Sequence, residues 1–298
     1  MDVSVIIVNY KTSHLISECL KSVYKFTKDL TFEIFLVDNN SEPDFEKTIR
    51  KEFPERQIEI ILLPDNIGFG CANNVAYEKA TGRNILFLNP DTLLLNNAIK
   101  ILSDFLDRHP HAGACGGNLL GEDLKPTLSF KRSLPGIEWE LDELLHNGMH
   151  KIKYGKNRIY NNSDNPFEVG YITGADLMVK RSVLKQTGVF NPAFFMYYEE
   201  SDLCARIKRA GWQIFSVPEA RIQHLVGKSF GEVQLNPRKI EMLEKSRNTY
   251  YKLNHNKFKR TISHSLYDLF LISRKTFSKD PIKKERYRLR RKYFLTSK

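Results

Sequence analysis

Four short, largely apolar stretches mark the first part of the chain: Val-Ser-Val-Ile-Ile-Val at 3–8, Phe-Glu-Ile-Phe-Leu-Val at 32–37, Ile-Glu-Ile-Ile-Leu-Leu at 58–63 and Ile-Leu-Phe-Leu at 85–88. Runs this short, rich in β-branched residues and stopped by turn residues, predict strands buried in a sheet. Between the first two, Leu15, Ile16, Cys19, Leu20 and Val23 recur at helical spacing, which predicts a helix over about 13–26. Helix-compatible sequence also runs up to Phe53, and a loop at 65–70 leads into a helix ending near Ala80.

Further along, 97–105 reads as helix and 112–120 as strand and turn. The stretch 124–167 carries Pro126, Pro135, Gly136, Gly148 and Gly155 and loses its period. It is too long for a connection, so it reads as a binding loop or lid, with acceptor contacts expected there from residues such as Trp139. Residues 169–181 read as a strand broken by Gly174, and a glycine inside a strand marks close approach of another group. A helix over about 201–210 ends at Gly211, a strand over 212–217 closes at Pro218, and 240–253 is helical again.

Strands alternating with helices of this length predict a mostly parallel, doubly wound α/β sheet with right-handed crossovers. In such a sheet the strand ends share one edge, where ligands bind. Three strand ends carry acids or amides: Asn9, then Asp38-Asn39-Asn40, then Asn89-Pro90-Asp91. Alone, Asn-Pro-Asp is ordinary turn chemistry. Clustered with the others at one edge, it reads as a site. Residues 66–74 place Gly68 and Gly70 at a helix start, where free N–H groups favour anions. This loop is neither the dinucleotide Gly-x-Gly-x-x-Gly signature nor a Walker loop.

A second group of acids lies at 199–202. Acids in a first helical turn are favoured by the dipole, which accounts for Asp202 as a cap. The aromatics at 194–198 fit that role less well for Glu199 and Glu200. They would desolvate a carboxyl and raise its pKa towards that of a useful general base. His224 gains weight only from following the acid helix and a strand.

Charge changes the picture at the carboxyl end. Residues 245–298 hold 17 Lys+Arg against 3 Asp+Glu, a net of +14, whereas the whole chain of 298 residues carries +11. The body is therefore near neutral and the tail basic, which points to an anionic partner such as membrane headgroups or nucleic acid. The apolar patch at 266–272, followed by Arg274, Lys275 and a basic run with interleaved aromatics, suits an interfacial helix on anionic lipid. The competing reading is a solvated, poorly ordered tail. The four cysteines lack paired spacing and read as buried thiols of a reducing compartment. No leader pattern is visible, and no apolar run approaches the ~20 residues that span a bilayer. The expectation is a cytoplasmic protein, peripheral on the inner face of the cell membrane.

Taken together these pieces resemble the family 2 glycosyltransferases of the GT-A fold, in particular the branch of bacterial rhamnosyltransferases for cell-surface polysaccharide. The matching segments are Val-Ile-Ile-Val-Asn-Tyr-Lys at 5–11, Val-Asp-Asn-Asn-Ser at 37–41, Asn-Ile-Gly-Phe-Gly-Cys-Ala-Asn-Asn at 66–74 and Phe-Leu-Asn-Pro-Asp at 87–91. They continue with Thr-Gly-Ala at 173–175, Phe-Phe-Met-Tyr-Tyr-Glu-Glu-Ser-Asp-Leu-Cys-Ala-Arg at 194–206, and His224. The resemblance implies a GT-A catalytic domain over 1–230 and a basic, mainly helical extension over 231–298. It implies that Asp38 accepts from a pyrimidine base, and that Asn9, Asn66, Gly68, Phe69, Asn74, Asn89, Gly174 and Ala175 line a nucleotide-sugar. Asp91 corresponds to the last acid of the family's Asp-x-Asp metal motif, with Asn89 replacing the first, and His224 to a further ligand of Mg²⁺ or Mn²⁺. Glu200 stands at the position of the general base, with Glu199 the alternative. The implied reaction is inverting transfer of a sugar, first rhamnose from a thymidine diphosphate donor, to a glycan or lipid-linked saccharide. A nucleic-acid-binding protein is the alternative prompted by the tail, although an acid-lined edge repels phosphate without metal. A sugar nucleotidyltransferase is the second alternative, but Asn9-Tyr10-Lys11-Thr12 lacks the glycines of a triphosphate loop. No nucleic-acid partner is expected.

Overall fold

A computed structural model describes residues 1–225 and 235–297. The first half follows the predicted alternation: β1 (Val3–Asn9), α1 (Ser13–Phe26), β2 (Phe32–Asp38), α2 (Phe45–Glu52), β3 (Ile58–Leu62), α3 (Phe69–Tyr77), β4 (Asn84–Leu88), β5 (Thr92–Leu94), α4 (Ala98–Arg108) and β6 (Ala112–Leu120). Next come β7 (Phe130–Lys131), α5 (Ile137–Leu144), α6 (Gly148–Tyr154), β8 (Phe167–Glu168), β9 (Tyr171–Ile172), β10 (Asp176–Lys180), α7 (Arg181–Thr187), α8 (Glu199–Arg209) and β11 (Gln213–His224). Three helices close the chain, α9 (Pro237–Asn254), α10 (Lys257–Phe277) and α11 (Pro281–Thr296).

Nine of the described strands form one sheet in the order β3-β2-β1-β4-β10-β6-β11-β5, with β8 added against β11. The strands β3, β2, β1 and β4 are parallel, β10 runs antiparallel between β4 and β6, and β11 is parallel to β6. The mostly parallel α/β expectation holds, with an antiparallel strand in its middle. Side chains alternate across β1: Val3, Val5 and Ile7 pack on one face against α1, α2 and α4, while Ile6 and Val8 face α3, α7 and α8. Because every residue of β1 and β4 is buried, these strands show no polar alternation in the sequence.

The structure departs from the sequence expectation in four places. All nine residues of 112–120 are strand. The expected strand at 169–181 is two strands in different sheets: β9 pairs with β7 in a small ribbon, and β10 enters the main sheet. Gly174 lies at the crossover between them. Pro218 does not end a strand but sits at a bulge, where the β6–β11 register shifts between Ser216 and Arg221. The irregular 124–167 stretch contains α5 and α6. The expected boundary at 230–231 lies outside the described residues.

The basic tail is neither loose nor free of the body. Helices α9, α10 and α11 begin with side-chain caps from Asn236, Asn256 and Asp280. Tyr267, Phe270, Leu271 and Phe294 form a buried cluster between α10 and α11. Arg247, 1% exposed, donates to Glu140 of α5 at 2.7 Å, and its guanidinium lies 3.6 Å from the Tyr267 ring centroid. Tyr251 also donates to Glu140. Glu244 accepts from Tyr267 at 2.6 Å and from Arg290 at 2.7 Å. Burial pushes the Glu140 carboxyl up, and the Arg247 charge opposes that. Removing one partner strands a buried charge. Arg247→Ala should therefore cost about 3–5 kcal/mol in denaturant unfolding, and the pair Arg247→Met with Glu140→Gln should recover most of it.

Candidate active site

The strand ends meet as the register requires. Asn9 lies opposite Asp38, and Asp38 opposite Leu62. Asn9 donates to Asp38 Oδ1 at 2.7 Å, and the Ser41 backbone N–H donates to Oδ2 at 3.1 Å. The buried Asp38 carboxylate is thus fixed in orientation, with lone pairs left for an incoming donor. Asn9 is held in turn, because its Oδ1 accepts from the Thr12 N–H and hydroxyl.

The loop at 66–74 is built largely by its own amides. Asn39 donates to Asn66 at 2.9 Å and accepts from the Ile67 N–H at 3.0 Å, while Asn66 accepts from the Gly68 N–H. Gly68 has φ 87°, and a Cβ there would lie 2.4 Å from the Phe195 carbonyl oxygen. Its glycine is thus required by the chain that crosses it. The Phe69 N–H donates to that same Phe195 carbonyl at 3.0 Å. Phe69 packs near Phe190, and Asn74 bonds the Phe190 backbone in both directions, at 2.8 and 3.0 Å. Asn66 and Asn74 therefore shape the loop and tie it to the segment before α8.

Asn89 and Asp91 stand just past the end of β4. The Asn89 N–H donates to the Ala175 carbonyl at 2.9 Å, which fixes the Thr-Gly-Ala crossover against this strand end. Asp91 is buried, and its Oδ1 lies 3.3 Å from His224 Nε2. The contact follows from topology: β5 pairs with β11, placing Thr92 opposite His224, and the Leu225 N–H donates to the Asp91 carbonyl at 2.9 Å. The sequence-predicted pair is thus brought together from residues far apart in the chain. Carboxylate and imidazole at one buried edge suit a divalent cation that takes its remaining ligands from diphosphate and water. Among the described residues no group of three His, Cys, Asp or Glu side chains is placed to hold a metal by itself.

Helix α8 brings the acids to the same edge. A Cβ on Gly174 would lie 4.0 Å from the Glu200 Cβ, so the open glycine position faces Glu200 beside the Asn89 strand end. Glu199 is buried against Gly70 of α3. Desolvation pushes the half-buried Glu200 up to about 7. Burial, then the Glu200 charge, pushes Glu199 well above the ordinary carboxylate range as well. Two neighbouring carboxyls raised by the same burial suit an acid/base site. Tyr197 and Tyr198, immediately before α8, have φ of 71° and 68°. Two consecutive left-handed residues cost about 1–2 kcal/mol each and persist only where the surroundings fix them. Trp139 stacks on Tyr171, with centroids 5.8 Å apart, and Lys131 lies 4.9 Å over the Trp139 ring. Tyr171 borders Ser201 and Glu200, so Trp139 flanks the acid turn.

Sequence reasoning missed Asp176. It is fully buried at the head of β10 and accepts from the Gly117 N–H at 2.5 Å, and its other oxygen has no hydrogen-bond partner among the described residues. Burial raises it to about 7, and nearby His224 lowers it in part. The only sequence signal was an acid interrupting an apolar strand.

Similarity to known proteins agrees with this geometry. A family model described as glycosyl transferase family 2 matches residues 4–188. An N-acetylglucosaminyl-diphospho-decaprenol L-rhamnosyltransferase of Mycobacterium tuberculosis is 28% identical over 223 residues, covering 66% of this chain and 68% of that protein. Rhamnosyltransferase WbbL of Escherichia coli is 27% identical over 167 residues, covering 53% of this chain and 60% of its own length. Among solved structures, Staphylococcus aureus TarS 1–349 aligns with a TM-score of 0.57 at 17% identity, covering 100% of this chain and 81% of that one. The mannosyltransferase PcManGT of Pyrobaculum calidifontis, solved with GDP-Man and Mn²⁺, aligns with a TM-score of 0.58 at 16% identity, covering 99% and 85%. These structures share the GT-A fold. The family match ends before α8, so the placement of Glu199 and Glu200 rests on the geometry above. With more than half of its length matched, the chain belongs to glycosyl transferase family 2, and it is a glycosyltransferase enzyme.

Proposed function

We propose that the chain catalyses inverting transfer of a sugar from a pyrimidine nucleotide-sugar to a hydroxyl of a cell-surface glycan or lipid-linked saccharide. The observation that carries this is the meeting of Glu200, Gly174 and the Asn89-Pro90-Asp91 strand end at one sheet edge. Asp38 accepts from the base N3–H. The loop 66–74, with Asn9 and Asn39 behind it, shapes the nucleoside pocket, and Gly174 and Ala175 border the sugar beside Asn89. Glu200 takes the proton of the acceptor hydroxyl as its oxygen bonds the anomeric carbon from the face opposite the leaving group. The bond from that carbon to the diphosphate oxygen breaks, and the electron pair leaves with the nucleoside diphosphate. Asp91 and His224 would hold Mg²⁺ or Mn²⁺, which would offset charge on the leaving diphosphate. Trp139, beside the acid turn, would border the acceptor.

Rhamnose from a thymidine diphosphate donor is the first candidate, supported by the two rhamnosyltransferase relatives. Uridine diphosphate sugars present the same N3–H to Asp38. The test is transfer from thymidine diphosphate-rhamnose to a polyprenyl-diphosphate-linked N-acetylglucosamine, with the product's anomeric configuration read by NMR. Inversion is expected, and retention would exclude the single-base mechanism.

We further infer that the enzyme works in the cytoplasm, peripherally on the inner face of the membrane. No described helix is long and apolar enough to cross one. On α10, Tyr267, Phe270 and Leu271 face inward, whereas Phe258, Ile262, Leu269 and Ile272 follow one another along the opposite side. Phe258 and, at the helix end, Phe277 are 73% and 82% exposed. An outward apolar stripe within a segment of net +14 suits an anionic lipid surface. Within the basic run Arg290 and Arg291 are engaged by Glu244 and Asp268, so the stripe and the remaining cations are the expected contact. The double change Leu269→Ser with Ile272→Ser removes ~2 kcal/mol of apolar burial, so binding to phosphatidylglycerol vesicles in flotation should fall about thirtyfold. Unchanged flotation would remove the stripe from the lipid contact.

A further inference from the structure

Helix α9 touches the acid turn along a single face. Ser246, Tyr250 and Asn254 are spaced four residues apart, so they line one side of the helix. Each meets the chain around Glu199 and Glu200. Ser246 Oγ donates to the Met196 carbonyl at 2.7 Å. The Tyr250 ring packs on Tyr198 with centroids 5.6 Å apart. Asn254 Nδ2 donates to Asp202 Oδ1 at 2.9 Å, while Arg206 donates to the other oxygen of Asp202 at 2.8 Å. The three contacts thus bracket the left-handed pair Tyr197 and Tyr198 on one side and the first turn of α8 on the other. Ser246 and Tyr250 are buried, so water does not compete for these contacts.

The adjacent side of α9 is anchored. Glu244, Arg247 and Tyr251 bind α5, α10 and α11 through the buried ion pairs. A helix fixed along one face and bonded to a strained turn along the next transmits position. The turn is also tied to the donor loop, through the Phe195 carbonyl that accepts from Phe69.

We propose that α9 is a brace for the catalytic turn, with Ser246, Tyr250 and Asn254 as positioning residues that set where Glu200 stands relative to the bound donor. The inference rests on Glu200 being the base. It goes beyond the matched family region, which ends at residue 188, and assigns a part in turnover to the carboxyl-terminal helices. Small displacements of a reacting group cost about 10²-fold in rate without weakening ligand binding. A brace should therefore affect kcat and leave the donor KM alone.

The test compares wild type, Glu200→Gln, Ser246→Ala with Asn254→Ala, and Ser246→Thr in the full chain. Transfer kinetics are read together with amide hydrogen exchange of the segment 195–203. The expected result is a fall in kcat of tenfold or more for the double variant, with donor KM within twofold and faster exchange confined to that segment. Ser246→Thr, which keeps the hydroxyl, should retain kcat within about threefold. A double variant with unchanged kcat overturns the brace, as does one whose kcat falls only in step with its folded fraction. Full turnover by Glu200→Gln overturns the base assignment instead, so the two failures are distinguishable.

Discussion

Replacing Glu200 with Gln should reduce transfer by about 10²–10⁴-fold while leaving donor affinity within a factor of two, because the amide cannot accept the acceptor's proton. Steady-state kinetics with donor binding by calorimetry separate the two effects. The pH dependence follows from the same environment. Desolvation raises Glu200 to about 7, with Glu199, Tyr171 and Cys204 as its titratable neighbours. A base must be deprotonated, so kcat should rise with pH and level off above neutrality. The apparent midpoint belongs to the Glu199–Glu200 pair. Stability moves the other way. A carboxyl raised in the folded state binds more protons there than in the unfolded chain. Stability is therefore lost as pH rises from the unfolded value near 4.5 through about 7. Glu200→Gln should stabilise the protein by on the order of 1 kcal/mol at pH 8, after allowance for partial exposure, and hardly at pH 4. Glu199→Gln leaves the Glu200 carboxylate in place and should keep turnover within about tenfold. If instead Glu199→Gln is inactive and Glu200→Gln active, the two roles are reversed.

Replacing Asp91 with Ala should lower kcat/KM by about 10²–10³-fold, equivalent to about 3–4 kcal/mol, and abolish the enhancement of donor binding by Mn²⁺. Asp91 is the only acid of the Asn89-Pro90-Asp91 stretch, so cation binding there depends on it and on His224. His224→Ala should be milder, since diphosphate oxygens and water can fill a vacated position. EDTA should silence the wild-type enzyme, with recovery on adding Mn²⁺. Activity indifferent to EDTA and to Asp91→Ala would remove the cation from the mechanism.

Much of the fold was legible because parallel strands advertise themselves. The runs at 3–8, 32–37 and 85–88 are largely apolar since both faces of β1, β4 and most of β2 are covered, and each is followed by a turn residue. The site was legible for the same reason: Asn9, Asp38 and Asp91 follow strand ends, and a parallel sheet collects them. What the sequence hid depends on pairing between distant elements. Gly174 looked like a bent strand because nothing local says that Ile172 and Asp176 pair in different sheets. Asn66 and Asn74 also hold the fold together, Asn66 Oδ1 accepting from Asn39 and Asn74 bonding the Phe190 backbone, which nothing local announces. The tail looked like free charge because an arginine buried by Glu140 and three aromatic rings has the same letter as a solvated one. Family membership displaces the nucleotidyltransferase alternative, and the carboxyl-terminal helices pack on the body, α9 against α8 and α10 against α5.

Thermal denaturation with pyrimidine nucleotide-sugars, with and without Mn²⁺, reaches the proposed site most directly, since a ligand raises stability only by binding the folded state. At about one hundred times its Kd, a thymidine or uridine diphosphate sugar should add ~2.7 kcal/mol, a rise in Tm of roughly 5 °C. That rise should depend on Mn²⁺ and vanish in Asp38→Ala. A Tm unmoved by every pyrimidine nucleotide-sugar in the presence of Mn²⁺ would contradict the assignment of this edge as a donor site.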